Sequence, residues 1–406
     1  MKDACNVKNR KSSQISLGRK SLYSLIIFVA FVTILEVILR TTHLFGAAVS
    51  CTRPDPLLGW RRAPGAKYWF VGENDHAITG RINRFGWRDK EWSLEKPPGT
   101  YRIAVLGDSY VESLQVEPER TFLALAEQKL NNNGMKVEVM NFGRAGFSQT
   151  EEFLVVRGEL TQFSPDMVVV FFLPPSDIRE MSRETAHFFL RPFCSVSQNG
   201  EVTFDTSFAE TGEFRTRRLL AWIRRHSALL SIIGQKYTTF RAAGRARTIG
   251  VSRILTAENP PTELKGCLSL CTDNPDDIYQ TNYRLSKDII KAMADHCREE
   301  AIRLVLVLPD MPTYLPQVKK RCRAADPTFD PDFFENDLAE FVHALDVEFI
   351  GFQKLFRKVF EDTGKYLHWG NWQRWGHWNY EGHRTVADVL SERIEHIINP
   401  TQEEFK

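Results

Sequence analysis

The spacing of apolar positions changes from one segment of this chain to the next. The run from Ser21 to Leu39, SLYSLIIFVAFVTILEVIL, is apolar almost throughout and is long enough to cross a bilayer as one helix. Short apolar runs follow at RIAVLG, KVEVMN, DMVVVFFL, IRLVLVLP and VEFIGF, and segments with helical periodicity separate them. This alternation predicts a parallel β-sheet with helices on both faces.

The helices of this sheet are predicted from periodicity and capping. They are expected over 120–133, from Ser148 to about Leu160, near 332–345 and near 382–398, and a further helix includes the apolar positions between Leu285 and Ala301. Ser148 with Glu151 forms the pattern of a capping box. Residues 178–280 interrupt the rhythm, which predicts an insertion that serves as a lid or a substrate-facing cap. It contains one amphipathic helix, TRRLLAWIRRHSALLSIIG.

Charge and composition divide the chain further. Residues 1–20 carry six basic residues against Asp3, whereas the remainder is weakly acidic and gives no reason to expect nucleic-acid binding. We therefore predict a basic tail over 1–20, a transmembrane anchor over 21–40, an accessory segment of loops and short strands over 41–100, and an α/β domain over 101–400. The positive-inside rule leaves the tail in the cytoplasm and the body outside.

A cleaved signal peptide is the alternative interpretation of the apolar run. The sequence GAAVSC, at 46–51, weakly resembles a cleavage or lipid-attachment site, but it lies beyond Glu36 and Arg40 and well past the apolar run. An oxidising compartment would allow disulfides among the six cysteines after Cys5. Cys267 and Cys271 are the best candidates, bridged to each other or to Cys194, whereas Cys297 falls on an apolar helix face and is expected to be a buried thiol.

Polar and small residues follow each predicted strand. The first strand ends at Gly107-Asp108-Ser109, the second at NFGRAGFSQ with Gly143 and Gly146, and the third at Ser176-Asp177. His377 comes before the last helix. Because the carboxyl ends of parallel strands share one edge of the sheet, these groups are expected to meet there. A serine, a histidine and glycine amides at one edge suit acyl transfer.

Taken together, these four blocks resemble the SGNH (GDSL-type) hydrolase superfamily, over roughly residues 100–178 and 281–398. The stretch LLGWRRAPG…INRFGWRDKEW also resembles the segment that precedes this domain in membrane-anchored bacterial members. The resemblance implies a flavodoxin-like, three-layer α/β/α fold with a parallel sheet. It implies Ser109 as nucleophile and His377 as general base. The oxyanion hole would be formed by the amides of Ser109 and Gly146 and the side chain of Ser176.

The chain departs from the family pattern at two places. Ser176 stands where the family has an asparagine, so a shorter donor would serve the oxyanion hole. Arg374 and Trp375 stand where the family places an aspartate before the histidine. A serine–histidine dyad, with a backbone carbonyl on the histidine Nδ1, remains open, and so does a carboxylate from elsewhere, such as the insertion. Asp108 is expected to cap the following helix, His383 to be structural, and His368 is a weaker alternative base.

Tryptophans surround His377 in the sequence. Trp369, Trp372, Trp375 and Trp378 recur every three residues, and Trp375 and Trp378 are candidates for stacking on a sugar ring, although packing in the core is the alternative. No sequence pattern indicates a metal or another cofactor, and GRAGFS lacks the spacing of a phosphate loop.

These observations lead to one expectation with alternatives. The resemblance implies a membrane-anchored serine esterase or O-acyltransferase of the bacterial cytoplasmic membrane. It would act on acylated cell-surface polysaccharide outside that membrane through an acyl-serine intermediate. A non-catalytic carbohydrate-binding or assembly subunit with a degenerate site is the alternative, and a lipid esterase is a third possibility that nothing in the body of the chain favours.

Overall fold

The architecture was analysed in a computed structural model, which describes residues 16–42, 51–71, 73, 77–234, 236, 262–369 and 376–399. Its strands are β1 Thr52–Asp55, β2 Gly59–Arg62, β3 Lys67–Val71, β4 Ala77–Arg81, β5 Tyr101–Gly107, β6 Val137–Gly143, β7 Met167–Phe171, β8 Phe193–Val196, β9 Val202–Asp205, β10 Arg303–Leu308 and β11 Glu348–Gly351.

The helices follow the predicted alternation with the strands. They are α1 Leu17–Thr42, α2 Ser109–Glu112, α3 Phe122–Asn132, α4 Gln149–Val155, α5 Pro174–Asp177, α6 Gly212–His226, α7 Thr262–Ser269, α8 Asp277–Glu299, α9 Pro316–Ala325, α10 Phe333–His343, α11 Gln353–Thr363 and α12 Tyr380–Ile398. The capping box of Ser148 and Glu151 is present at the start of α4. A π-helical turn continues that helix to Leu160.

A five-stranded sheet forms the centre of the molecule, in the order β11-β10-β7-β5-β6. Every neighbouring pair in it is parallel. Numbered along the chain, this order is the 2-1-3-4-5 order of flavodoxin-like folds, in which ligands bind where the order reverses, beside the first strand. The predicted fold class is therefore confirmed, and the reversal lies at β5, whose end carries Ser109.

Two glycines let the chain turn tightly at this point. Gly107 and Gly143 face each other at the ends of β5 and β6. A Cβ added at either position would come within 2.5 Å of the Val111 side chain. The first turn of α2 therefore packs directly on the strand ends, which fixes the position of Ser109.

The accessory segment packs on the sheet domain. It contains two antiparallel hairpins, β1–β2 and β3–β4. Trp87 and Trp92, which follow them, are completely or almost completely buried in the main hydrophobic core. The ring of Trp92 lies 4.8 Å from that of Phe142 on β6. The segment thus shares a core with the α/β domain.

The insertion departs from its prediction at one helix. The expected single amphipathic helix ends at His226, and Ser227 is extended, with φ −137°. Residues 228–234 form a second helical run, so α6 and this run are separate elements. The break arises because Glu36 of α1 accepts hydrogen bonds from the amides of Ala228 and Leu229, which begins a new helix there.

The cysteines also differ from expectation. Cys51, Cys194, Cys267, Cys271, Cys297 and Cys322 are all free thiols in the described chain. The bridge expected at Cys267 and Cys271 is therefore absent. Both side chains are buried as apolar groups in the main core, and so is Cys297, as predicted.

Candidate active site

Ser109 begins helix α2 at the carboxyl end of β5. The carboxylate of Asp108 accepts a hydrogen bond from the Tyr110 amide at 2.9 Å and so caps this short helix, which confirms the predicted role of Asp108. Burial raises the pKa of Asp108, while the Tyr110 amide, the charge of His377 and the Ser176 hydroxyl act in the opposite direction.

A chain of hydrogen bonds runs from Ser109 through His377 to Glu73. The Ser109 Oγ lies 2.7 Å from His377 Nε2, and His377 Nδ1 lies 2.7 Å from Glu73 Oε1. The second oxygen of Glu73 accepts from the backbone amide of His377, also at 2.7 Å. With Nδ1 donating to the carboxylate, Nε2 accepts from the serine hydroxyl, which is the tautomer that a general base requires.

Sequence reasoning missed Glu73. It lies between β3 and β4, in the accessory segment, and 304 positions separate it from His377. Burial disfavours its charged form, but the hydrogen bonds and the charge of His377 outweigh this effect and lower the pKa of the Glu73 carboxyl. Glu73 is thus ionised near neutral pH and lies where an acid can orient the imidazole. No carboxylate precedes His377 at the position where the family pattern has one. Glu73 of the accessory segment contacts the imidazole instead, and no residue of the insertion is involved in this contact.

A second histidine supports the backbone next to His377. His368 Nδ1 donates to the Gly376 carbonyl at 2.6 Å, and its Nε2 lies 2.9 Å from Asp310 Oδ2. The Tyr110 hydroxyl donates to the same carbonyl at 3.2 Å. His368 is buried with both ring nitrogens occupied, so the alternative that it acts as the base is wrong.

The predicted oxyanion donors lie at neighbouring strand ends. Among the described residues, the backbone amides of Ser109 and Gly146 donate no hydrogen bond to the protein. Ser109 lines the pocket over the site, whereas Gly146 is not among the residues that line it. Gly146 has a φ of +76° in the turn after β6. The Ser176 side chain lines the same pocket as Ser109 and interacts with Asp108.

The turn that carries Gly146 is braced from the accessory segment. Glu112 Oε2 accepts from the Ala145 amide at 3.0 Å, and Glu112 Oε1 pairs with Arg62 at 2.6 Å. Burial of Glu112 disfavours its charge, yet the guanidinium of Arg62 lowers the pKa of this carboxyl. Arg144 donates to the Trp60 carbonyl at 2.7 Å. These contacts connect the turn that carries Gly146 to the accessory segment, which also contains Glu73.

A small pocket of about 210 Å³ opens over Ser109 and His377. Leu173 and Pro175 form its apolar part, and Arg179 and His187 from the insertion border it. Arg179 donates through Nε to Glu180 at 3.1 Å. The pocket has room for a short acyl group.

Of the two tryptophans predicted to stack on a sugar, Trp378 lies in the described part of the chain. Trp378 is fully buried, and its indole donates to Asp310 at 2.8 Å. A ring without an exposed face cannot stack on a sugar, so the sugar-stacking prediction for Trp378 is wrong and the core alternative is correct. Trp372 and Trp375 lie outside the described residues.

His383 has the structural role that was predicted. Its Nδ1 accepts a hydrogen bond from the Phe122 amide at 3.2 Å, which requires an unprotonated nitrogen. Complete burial, aided by the positive charge of Arg88, lowers the pKa of His383 to about 3.

We expect this burial to make stability depend on pH. Between about pH 6.5 and pH 3 the unfolded chain binds a proton at residue 383 that the folded chain does not. The free energy of unfolding therefore falls as the pH drops through this range, by about 1.4 kcal/mol per pH unit for this group.

Urea unfolding at pH 7 and pH 5 measures this dependence of the free energy of unfolding on pH. The His383→Asn protein, which keeps an acceptor for Phe122 without titrating, is expected to lose that part of it. Equal slopes for the two proteins would contradict the assignment.

Comparison with known proteins yields structural similarity only. No protein-family model matches the chain, and no curated protein sequence matches it significantly. Among solved structures, TesA is 10% identical over 72% of this chain and 98% of its own, with a TM-score of 0.37. The acetyl xylan esterase AlAXEase is 12% identical over 72% and 99%, with a TM-score of 0.38. A lipolytic protein of the G-D-S-L family from Desulfitobacterium hafniense is 11% identical over 72% and 98%, with a TM-score of 0.33. Such low identities and scores carry no argument about activity, which has to rest on the chain's own residues.

Proposed function

We propose that the chain is a membrane-anchored serine esterase or O-acyltransferase of the SGNH type that acts on acylated cell-surface polysaccharide. One observation carries this proposal, namely the continuous hydrogen-bond chain from Ser109 Oγ through His377 to Glu73. A nucleophile, a base and an orienting acid in this order are the parts that acyl transfer requires.

The proposed reaction has two steps. His377 Nε2 takes the proton of Ser109 as Oγ attacks the ester carbonyl, and the Glu73 carboxylate stabilises the resulting imidazolium. The amides of Ser109 and Gly146, with the Ser176 hydroxyl, donate to the oxyanion. The protonated His377 then gives its proton to the leaving alkoxide, which leaves an acyl-serine. Water or a sugar hydroxyl, deprotonated by His377, attacks this ester and frees Ser109.

Helix α1 is the basis for the anchored location. It is 26 residues long, with a mean hydropathy of 2.6 over its most apolar window. Two of its polar residues bind the body: Glu36 accepts from the Ala228 amide at 2.6 Å, and Arg40 donates to the His226 carbonyl at 3.0 Å. Signal cleavage would remove these contacts, which favours an uncleaved helix. The excess of basic residues before α1 supports an orientation with the body on the outer side of a bacterial cytoplasmic membrane.

The size of the pocket supports a short acyl group. About 210 Å³, with an apolar wall at Leu173 and Pro175, accommodates an acetyl group and leaves the alcohol part of the ester outside. A large substrate such as a polysaccharide can then present its acetyl ester at the surface.

A non-catalytic carbohydrate-binding subunit is the second candidate. The observation that favours it is Ser176, which replaces an amide donor and already interacts with the Asp108 carboxylate. Loss of one oxyanion donor slows such reactions by about 10²–10³-fold without ending them. The intact chain from Ser109 to Glu73 therefore favours the enzyme.

The test uses the full-length protein in detergent with 4-nitrophenyl acetate. We expect release of 4-nitrophenol together with an acetyl group on Ser109, detected by mass spectrometry of the quenched enzyme. Addition of an oligosaccharide acceptor distinguishes transfer from hydrolysis by the appearance of acetylated sugar. No turnover and no acetyl-enzyme, with this ester or with an acetylated polysaccharide, would contradict the proposal and favour the binding subunit.

A further inference from the structure

A groove lined by arginines lies between strand β1 and helix α6, away from the candidate active site. Its volume is about 560 Å³, and it is lined by Arg53, Arg215, Arg218, Arg225, Leu219 and Trp222. Among the described residues, none of these four arginines is in an ion pair with an acid. Several cations around one groove, with no ion-pair partner in the part of the chain that the structure describes, create a site for an anion.

The groove lies next to the outer end of helix α1. Leu39 of α1 packs against Ala228, with Leu35, Leu229 and Ile232 around them. The carboxylate of Glu36 binds the start of the helical run 228–234. Because Leu35 and Leu39 belong to the end of the apolar stretch, residues 226–234 lie at the level where a bilayer meets water.

Large apolar side chains are exposed on the same part of the insertion. The exposed fractions are 59% for Leu219, 62% for Trp222, 44% for Leu230 and 54% for Ile233. Helix α6 also carries five arginines against one acid, Glu213. A helix that combines exposed tryptophan and leucine with many arginines is typical of elements that lie in the membrane interface.

We propose that the groove between β1 and α6 binds the phosphate headgroup of an anionic phospholipid in the membrane that contains α1. Trp222 and Leu219 would then lie at the boundary between headgroups and acyl chains, and Leu230 and Ile233 would enter it beside α1. A lipid is favoured over a soluble anion because α6, which lines the groove, ends at His226, where Arg40 of the membrane helix binds its carbonyl, and because the exposed side chains of Leu219 and Trp222 are apolar. This docking would hold the catalytic domain in a fixed orientation to the membrane. The proposal rests on the anchor of the proposed function and is independent of the esterase activity.

Hydrogen–deuterium exchange on the full-length protein in lipid nanodiscs tests this proposal. One set of discs contains phosphatidylcholine alone, and the other contains equal parts of phosphatidylcholine and phosphatidylglycerol. We expect amide exchange in residues 212–226 to be at least about five-fold slower in the anionic discs. Each arginine near an anionic surface strengthens binding to that surface by about five-fold, and amides that are bound there exchange more slowly. Combining Arg215→Gln, Arg218→Gln and Arg225→Gln is expected to remove the difference.

A charge-matched control separates the groove from general attraction. Combining Arg284→Gln, Lys291→Gln and Arg393→Gln removes the same charge from exposed positions on α8 and α12, and it should leave the protection of residues 212–226 intact. Equal exchange in both lipids, or loss of protection in this control, would overturn the proposal. Protection by inorganic phosphate in phosphatidylcholine discs would also overturn it, because the site would then be one for a soluble anion.

The same experiment distinguishes an error in the proposed membrane anchor from an error in the proposed lipid-binding groove. A full-length chain that does not co-purify with the discs would refute the membrane helix, and this proposal with it. A chain that co-purifies but shows no lipid-dependent protection refutes the groove alone. Hydrolysis of 4-nitrophenyl acetate by the same sample reports separately on the active site.

Discussion

Alanine at Ser109 or His377 is expected to lower ester hydrolysis by about 10⁶-fold in kcat, the size of loss found when either member of such a catalytic unit is removed. The reason is the 2.7 Å contact between Ser109 Oγ and His377 Nε2, which makes nucleophile and base a single functional pair. The two changes should also fail to add, because either one alone ends the same step. The measurement is turnover of 4-nitrophenyl acetate by the two single variants and the double variant.

Matched controls make this result specific. Ser195 and His343 are exposed and lie outside the candidate site, so Ser195→Ala and His343→Ala should retain full activity. The circular dichroism spectra and unfolding midpoints of all the variants establish that each one folds. Retention of substantial activity by either site variant would show that the pair does not carry the reaction.

Loss of the Glu73 carboxylate gives the second-largest expected effect. The Glu73→Gln change keeps the shape of the side chain but removes the charge that stabilises the imidazolium and selects its tautomer. We expect a fall in kcat of up to about 10⁴-fold, as when the acid of a Ser-His-Asp triad is neutralised. The control is Glu91→Gln, in the same accessory segment, whose carboxylate is exposed and faces Arg84 at 3.9 Å.

A second-site change shows whether Glu73 acts through His377. The family pattern places an aspartate two or three residues before the histidine, and Trp375 occupies one of these positions. Adding Trp375→Asp to the Glu73→Gln protein is expected to restore a large part of the lost activity. A role for Glu73 in holding the fold alone predicts a lower unfolding midpoint and no such restoration. Unchanged activity in Glu73→Gln would leave a serine–histidine dyad as the working unit.

Elements with a local signal could be predicted from the sequence. Each strand of the sheet is a short apolar run, and Ser148 with Glu151 marks the start of α4, because capping and burial depend on neighbouring residues. Ser109 and His377 could be identified for a similar reason, since each lies in a short block at the end of an element. Their proximity followed from the rule that parallel strands end at one edge.

Contacts between distant segments could not be predicted in this way. Glu73 lies among polar residues in the sequence, and nothing in its neighbourhood indicates that a histidine 304 positions later will contact it. The spacing of the tryptophans is the same whether a ring is buried or exposed, so the pattern could not reveal that Trp378 packs beneath the site. The end of α6 at His226 depends on Glu36, which lies 192 positions before Ala228 in the sequence.

The position of Glu73 in the chain also determines how short a fragment can be and still contain the whole candidate site. A fragment that begins at Tyr101 contains Ser109, Gly146, Ser176 and His377 and yet lacks Glu73. It also lacks the core tryptophans Trp87 and Trp92, and Arg62, which pairs with Glu112 below the turn that carries Gly146. The accessory segment and His377 are therefore expected to work only when they come from the same chain. Recombination between related chains at residue 100 would separate Glu73 from His377, whereas crossovers before Glu73 or after His377 would keep the two together.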